Sequence, residues 1–314
     1  MRRFIRSLAK WAIVAVASAL VSGCFGEEGP TGVKPPPPPP PPPTFVSARV
    51  VGPATIVAGT TPSVGLVGVY PDGSTAPLSG GTFATSKYDI ADVTVGGVVV
   101  PARLGSFEVR ATYPGLTVTS LSTEVVGTPW STVPAVDSAQ KDWAERYMRN
   151  SWGQFTRWAD GSTLRFYNPG ILPQKYLDEV NVFWGQETPT LRYTTVSDSS
   201  EANVMIRNDP TLDRCMASGS GGSNEAGTIA GVVVWGVIEV NLAKCGNTEE
   251  ARMNSFLHEV GHVLGLGGHT PAPAEASRRD IMSEVNKVRA ISSFLGGIMR
   301  LWRGVNPGNI LVPG

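Results

Sequence analysis

The chain has 314 residues, with 26 basic and 26 acidic side chains, 36 Gly, 26 Pro, 3 Cys and 3 His. Its length suggests two domains of about 100–200 residues each, and a 41% apolar content excludes general disorder. A net charge of zero without a basic block excludes a nucleic-acid binder, because neutralising phosphates takes clustered Lys and Arg. All three histidines, His258, His262 and His269, fall within twelve residues. That excludes a histidine-dependent Ser or Cys triad elsewhere, since no other imidazole exists to serve it.

In chain order, Arg2, Arg3, Arg6 and Lys10 lead into an apolar run of twelve, Trp11 to Ser22. The run is too short to cross about 30 Å of hydrocarbon as a helix, so residues 1–23 read as a cleaved signal. Its end, Val21-Ser22-Gly23-Cys24, resembles the lipobox of bacterial lipoproteins. The resemblance implies cleavage before Cys24 and lipid on its thiol. It also implies membrane anchoring in the bacterial cell envelope, at the outer membrane or cell surface; more than one acyl chain on that residue makes a stable anchor. The alternative is an ordinary secretory signal with an incidental cysteine. With Cys24 lipidated, Cys215 and Cys245 remain as an even pair in an oxidising compartment, which favours a disulfide over two free thiols.

Residues 24–43 hold no apolar period and end in nine prolines, Pro35 to Pro43. Such a run adopts polyproline II and makes a stiff spacer of about 28 Å. From 44 to 127 the texture is all-β. Short apolar runs (Phe45 to Val51, Val64 to Tyr70, Ile90 to Val95, Val98 to Val100, Phe107 to Tyr113, Leu116 to Val126) are separated by Pro71-Asp72-Gly73, Gly96-Gly97 and Pro114-Gly115. About seven strands in this length imply a small β-sandwich. The stretches VYPDGST, DIADVTVGGVV and GSFEVRATYPG resemble the group-2 bacterial immunoglobulin-like domain. That resemblance implies a spacer or adhesion module. No titratable cluster falls here, so a passive stalk is the plainer reading.

Residues 128–314 hold seven of the eight tryptophans, read as core. Helices are predicted at Asp137–Trp152 and Pro173–Trp184, the second burying Tyr176, Leu177, Val180 and Phe183 at helical spacing. Strands are expected at Leu164–Tyr167, Leu191–Val196, Asn203–Ile206, Thr228–Trp235 and Val237–Leu242. A helix then starts at Asn247 or Thr248, with Glu249 and Glu250 in its first turn, and runs to about Leu264. A final helix is expected over Glu284–Arg303.

The 248–264 helix carries His258-Glu259-Val260-Gly261-His262. Residues four apart share a helix face, so both imidazoles can meet one metal ion. Neutral imidazole suits Zn²⁺, whose catalytic sites take three protein ligands and leave a position for water. Glu259 can reach that water as a general base. Gly265 can end the helix in the left-handed conformation, and Leu266-Gly267-Gly268 can return the chain to present His269. Asp280-Ile281-Met282-Ser283 follows, where a hydrophobic turn could underlie the metal.

These residues resemble the metzincin pattern of zinc endopeptidases, HExxHxxGxxH followed by a Met-turn, as in matrixins. Ser200 to Ile206 also looks like the matrixin third strand. The resemblance implies an α+β zincin domain with a mixed twisted sheet and an active-site helix. His258, His262 and His269 would be ligands of one catalytic Zn²⁺, Glu259 the general base and acid, and Met282 the Met-turn residue. The substrate, a protein or peptide, would lie along an edge strand within Gly227–Trp235.

Two departures stand out. His269 comes one residue late, because Gly267-Gly268 supplies an extra glycine, so Asp280, Glu275 or Glu284 remain alternative third ligands. Glu284 stands where many metzincins have a tyrosine. A zinc site that only stabilises the fold usually has four protein ligands and favours cysteine, which does not match this ligand set. Structural Ca²⁺ finds no recognisable loop motif.

The expected molecule is therefore multidomain: an immunoglobulin-like sandwich followed by a metzincin-like zinc endopeptidase on a lipid anchor. The rivals are an adhesin-like binding lipoprotein and a zinc hydrolase of cell-wall amides.

Overall fold

The computed structural model describes residues 44–313 except 152, 223–230, 272–279 and 285–286. The signal, Cys24 and the proline spacer lie outside the described residues. Those that are described belong to one compact unit with two apolar cores. The described residues form a mixed α/β structure with several sheets and four α-helices. No helix among the described residues is long and apolar enough to cross a membrane.

The first core lies among ten short strands: β1 Ser47–Val51, β2 Thr55–Val57, β3 Gly65–Val69, β4 Thr75–Leu78, β5 Thr82–Thr85, β6 Ala91–Val93, β7 Val99–Pro101, β8 Gly105–Thr112, β9 Val118–Thr119 and β10 Leu121–Val126. They form sheets ordered β4-β3-β1-β9 and β2-β10-β8-β5, with β6 and β7 as a separate pair. Alternation along β1, β3, β8 and β10 turns Val50, Leu66, Phe107, Val109 and Val125 into the shared core. Gly97 closes the turn between β6 and β7 at φ +85°, where a Cβ would stand 2.5 Å from the Val64 carbonyl. The run predicted at Leu116–Val126 is two strands, because the chain leaves one sheet after Thr119 and enters the other at Leu121. Strands β2, β4 and β5 escaped prediction: they are short and mostly exposed or half-buried, so they carry little alternation.

The second core is built by β11 Thr128–Pro129, α1 Ser138–Tyr147, β12 Thr163–Tyr167, α2 Gln174–Glu187, β13 Arg192–Val196, β14 Val204–Asn208, β15 Met216–Gly222, β16 Val233–Val240, α3 Glu249–Val263, α4 Ser293–Gly304 and β17 Leu311–Val312. Five of these strands make one sheet ordered β13-β12-β14-β16-β15. The first four run parallel and β15 is antiparallel to β16. Helix α3 packs on β16 through a bare spot at Gly236, where a Cβ would meet Val263 at 2.6 Å. Parallel β17 pairs with β11, and Ile310 just before it enters the first core.

Five expectations change here. The strands expected at Thr228–Trp235 and Val237–Leu242 are one strand, β16, with residues 228–230 outside the described set. Val233–Trp235 is therefore interior to the sheet, and the edge strand beside it is β15. Helix α1 stops at Tyr147, and α4 begins at Ser293 rather than Glu284, capped by the Ser292 hydroxyl accepting from Leu295 N at 3.0 Å. Trp235 is 47% exposed, not core, because it points off the sheet face opposite Gly236 and Ile238.

Candidate metal centre

Helix α3 begins as the sequence requires. The Thr248 side chain accepts from Ala251 N at 3.2 Å, and Glu249 and Glu250 offset the positive end of the helix dipole. The helix ends at Val263 with Leu264 as its cap, and Gly265 follows at φ +103°. A side chain at Gly265 would also meet the Thr156 carbonyl at 2.6 Å, so glycine is needed for conformation and for space.

His258 and His262 lie one above the other on α3. His258 Nδ1 stands 2.7 Å from the Ile281 carbonyl and His262 Nδ1 2.6 Å from the Leu266 carbonyl. A carbonyl only accepts, so both Nδ1 atoms carry the proton and both Nε2 atoms are bare. Those Nε2 atoms face each other at 3.1 Å. Two lone pairs at that distance repel unless a cation lies between them. Two ligands of a tetrahedral Zn²⁺ with Zn–N of about 2.0–2.1 Å stand about 3.3 Å apart, so the donor set fits the ion.

His269 arrives from the loop after α3. Its ring centroid is 5.0 Å from that of His258 and 5.2 Å from that of His262. One ring nitrogen from each of the three histidines falls within 4.8 Å of the others. The extra glycine has a local cause in α1. A Cβ on Gly267 would stand 2.3 Å from the Tyr147 carbonyl, and one on Gly268 would stand 2.3 Å from Cγ of the Tyr147 ring. Gly267 N donates to that same carbonyl at 3.1 Å. The loop thus presses on the end of α1 and can do so only without side chains.

Asp280 and Met282 hold the loop from the other side. Asp280 is 1% exposed, and its carboxylate accepts from Thr270 Oγ1 at 2.8 Å, Met282 N at 3.0 Å and the Ser292 hydroxyl. It is occupied in tying Thr270, next to His269, to the turn at Met282, and does not join the histidine cluster. Met282 is fully buried against Gly261. Glu284 is exposed, with its charge raising the affinity of His269 for protons, whereas Glu275 lies outside the described residues.

Four tryptophans complete the frame in a way the sequence did not suggest. Their indole N–H groups donate to backbone carbonyls on both sides of the histidines: Trp184 to Leu257 (2.8 Å), Trp158 to Val263 (2.8 Å), Trp302 to Leu264 (3.0 Å) and Trp143 to His269 (2.7 Å). Two of these carbonyls belong to the last turn of α3, where no helical partner exists. Trp is apolar with one donor, so each ring fills core volume while satisfying a buried acceptor.

Electrostatics suit ligation. Burial holds His258 down at about 2 and His262 at about 4, and lowers His269 as well, so the imidazoles are neutral at pH 7. Glu259 is 7% exposed and its carboxyl is pushed above the usual range by burial. Its Oε2 accepts from Ser218 Oγ on β15 at 2.7 Å. Cys215, at the foot of β15, is disulfide-bonded to Cys245 ahead of α3. The missed Ser218 sits in Met-Ala-Ser-Gly-Ser-Gly-Gly, which has no branched or alternating apolar residues and reads as a loop.

No protein-family model matches this chain, and no curated protein is found to be similar to it.

Proposed function

We propose that the chain is a zinc-dependent endopeptidase of the metzincin type, carried behind an immunoglobulin-like sandwich on an envelope lipoprotein anchored at Cys24. The observation that carries this reading is the convergence of His258 and His262 from α3 with His269 from the loop after it, beside the buried Glu259 of the same helix as the first two. The family pattern of His258, His262, His269 and Met282 supports it. The basic start, apolar run and terminal cysteine of residues 1–24 support the anchor.

His258, His262 and His269 would hold Zn²⁺, which when bound would supply Lewis acidity toward water and a substrate carbonyl. The chain's own work falls to Glu259. As a carboxylate it accepts a proton from the attacking water while the water oxygen bonds to the scissile carbonyl carbon. Once protonated it donates that proton to the departing amine, so one water is consumed and one peptide bond is cleaved. A raised proton affinity suits both halves of the cycle. The substrate lies extended along β15, the edge of the five-stranded sheet nearest α3, in place of the Gly227–Trp235 position expected from sequence. Strand addition there supplies main-chain hydrogen bonds.

The test is digestion of a peptide library by the zinc-loaded protein beside Glu259→Ala. The expected outcome is cleavage by wild type and none by the variant, with equal zinc content and fold. Cleavage that survives in the variant removes Glu259 from the mechanism. No cleavage by wild type, with activity on cell-wall fragments, transfers the site to wall amides; no activity at all favours a binding role.

A further inference from the structure

The Glu259 carboxylate has one hydrogen-bond partner among the described residues, the hydroxyl of Ser218. We propose that Ser218 is a positioning residue that holds one oxygen of Glu259, leaving the other to face the water. The inference rests on the endopeptidase reading above.

Ser218 lies on the edge strand where substrate would pair. Even-numbered residues of β15 face α3: Met216 is buried in the core, Ser218 donates to Glu259, and Ser220 Oγ donates to the His262 carbonyl at 3.4 Å. The odd residues Ala217, Gly219 and Gly221 face the other way, opposite Glu239, Val237 and Trp235. One strand therefore offers its backbone edge to a peptide and its inner side chains to the helix that carries the base.

The strand is held where such an anchor needs to be rigid. The Cys215–Cys245 disulfide ties its foot, three residues before Ser218, to the segment leading into α3. A glutamate side chain has three free torsions, and a hydroxyl on Oε2 removes most of that freedom. Donation to Oε2 also occupies the oxygen that would otherwise compete for the water's proton. Because the donor is neutral, it orients the carboxylate without neutralising its charge, as an Arg or Lys partner would.

Ser218→Ala and Ser218→Thr decide the matter, measured beside wild type with a peptide recovered from the library digest. In the zinc-loaded Ser218→Ala protein, kcat is expected to fall ten- to a hundredfold, about the effect of losing one hydrogen bond to a charged group. KM, zinc content and melting temperature should stay at wild-type values, and Ser218→Thr should restore kcat to within about threefold. An unchanged kcat in Ser218→Ala, an effect confined to KM, or a loss that Ser218→Thr shares would overturn the proposal.

A second readout uses metal-free protein and needs no activity. Infrared difference spectra against Glu259→Gln isolate the carboxylate bands of Glu259. They should shift in Ser218→Ala and stay in place in Ser218→Thr; bands unmoved by Ser218→Ala overturn the proposal. Should wild type cleave no peptide while these bands behave as expected, the endopeptidase reading fails and the Ser218–Glu259 contact stands.

Discussion

Met282 packs so closely beneath Gly261 that a Cβ on residue 261 would lie 2.3 Å from its Sδ and 2.9 Å from the Trp184 ring. The middle of the His-Glu-Val-Gly-His helix is therefore bare on the side facing the Met282 turn. Helix and turn can approach because one residue has no side chain.

Gly261→Ala inverts the usual helix rule as a result. Replacing an interior helical Gly by Ala normally stabilises by about 0.5–1 kcal/mol. Here Met282 is fully buried and cannot swing out, so overpacking of about 1–3 kcal/mol wins. Denaturant titration should show net destabilisation. In the double variant with Met282→Ala the two effects should be less than additive, since both residues share one contact. Additive losses would mean that the contact is not what Gly261 protects.

His269→Ala addresses the third ligand. With two imidazoles left, zinc affinity is expected to drop by more than about 100-fold, beyond what loss of a supporting contact causes. Competition with a chelating dye measures it. Asp280 cannot substitute, because Thr270, Met282 and Ser292 already use its oxygens. Unchanged affinity would move the third position to Glu284 or Glu275.

Arg157 is 0% exposed and donates to Asp160, to the Val305 carbonyl and to the Trp158 carbonyl. The Arg157 guanidinium is the main cause that holds the Asp160 carboxyl below its ordinary value of 3.8. A depressed carboxylate stabilises the fold above its unfolded pKa and loses that contribution as pH falls through the lower, folded one. Asp160→Asn should therefore cost about 1 kcal/mol at pH 7, a modest figure because the Asp160 side chain is half exposed. The gap to wild type should close below pH 3.8. Melting curves from pH 7 to 2.5 check the sign; a gap that widens in acid would contradict it.

The disulfide closes a loop with a sequence separation of 30 between Cys215 and Cys245. On the chain-entropy argument, its removal by Cys215→Ser with Cys245→Ser should cost about 3–4 kcal/mol. Denaturant titration of the double variant reads this directly. Zinc affinity should change less than stability, because the three histidines are held by α3, the glycine loop and the Met282 turn.

Much of the candidate site was legible in the chain. Helical spacing put His258 and His262 on one face, and the cap at Thr248 and the stop at Gly265 followed from side-chain chemistry. The pairing of Cys215 with Cys245 followed from cysteine arithmetic. These features depend on residues close in sequence, or on a count, where local geometry and valence decide.

What lay beyond the sequence depends on distant partners. The strand carrying Ser218 is built from Ser and Gly, so only its pairing with β16 makes it a strand. Trp143, Trp158, Trp184 and Trp302 reveal their carbonyl acceptors only when the core assembles around them. Asp280, plausible as a ligand by composition, is withdrawn into a buried network by Thr270 and Ser292. The extra glycine before His269 finds its reason in Tyr147, more than a hundred residues earlier. Sequence by itself determined which atoms could bind a metal. The tertiary structure decided which of them converge, because convergence is set by the packing of side chains far apart in the chain.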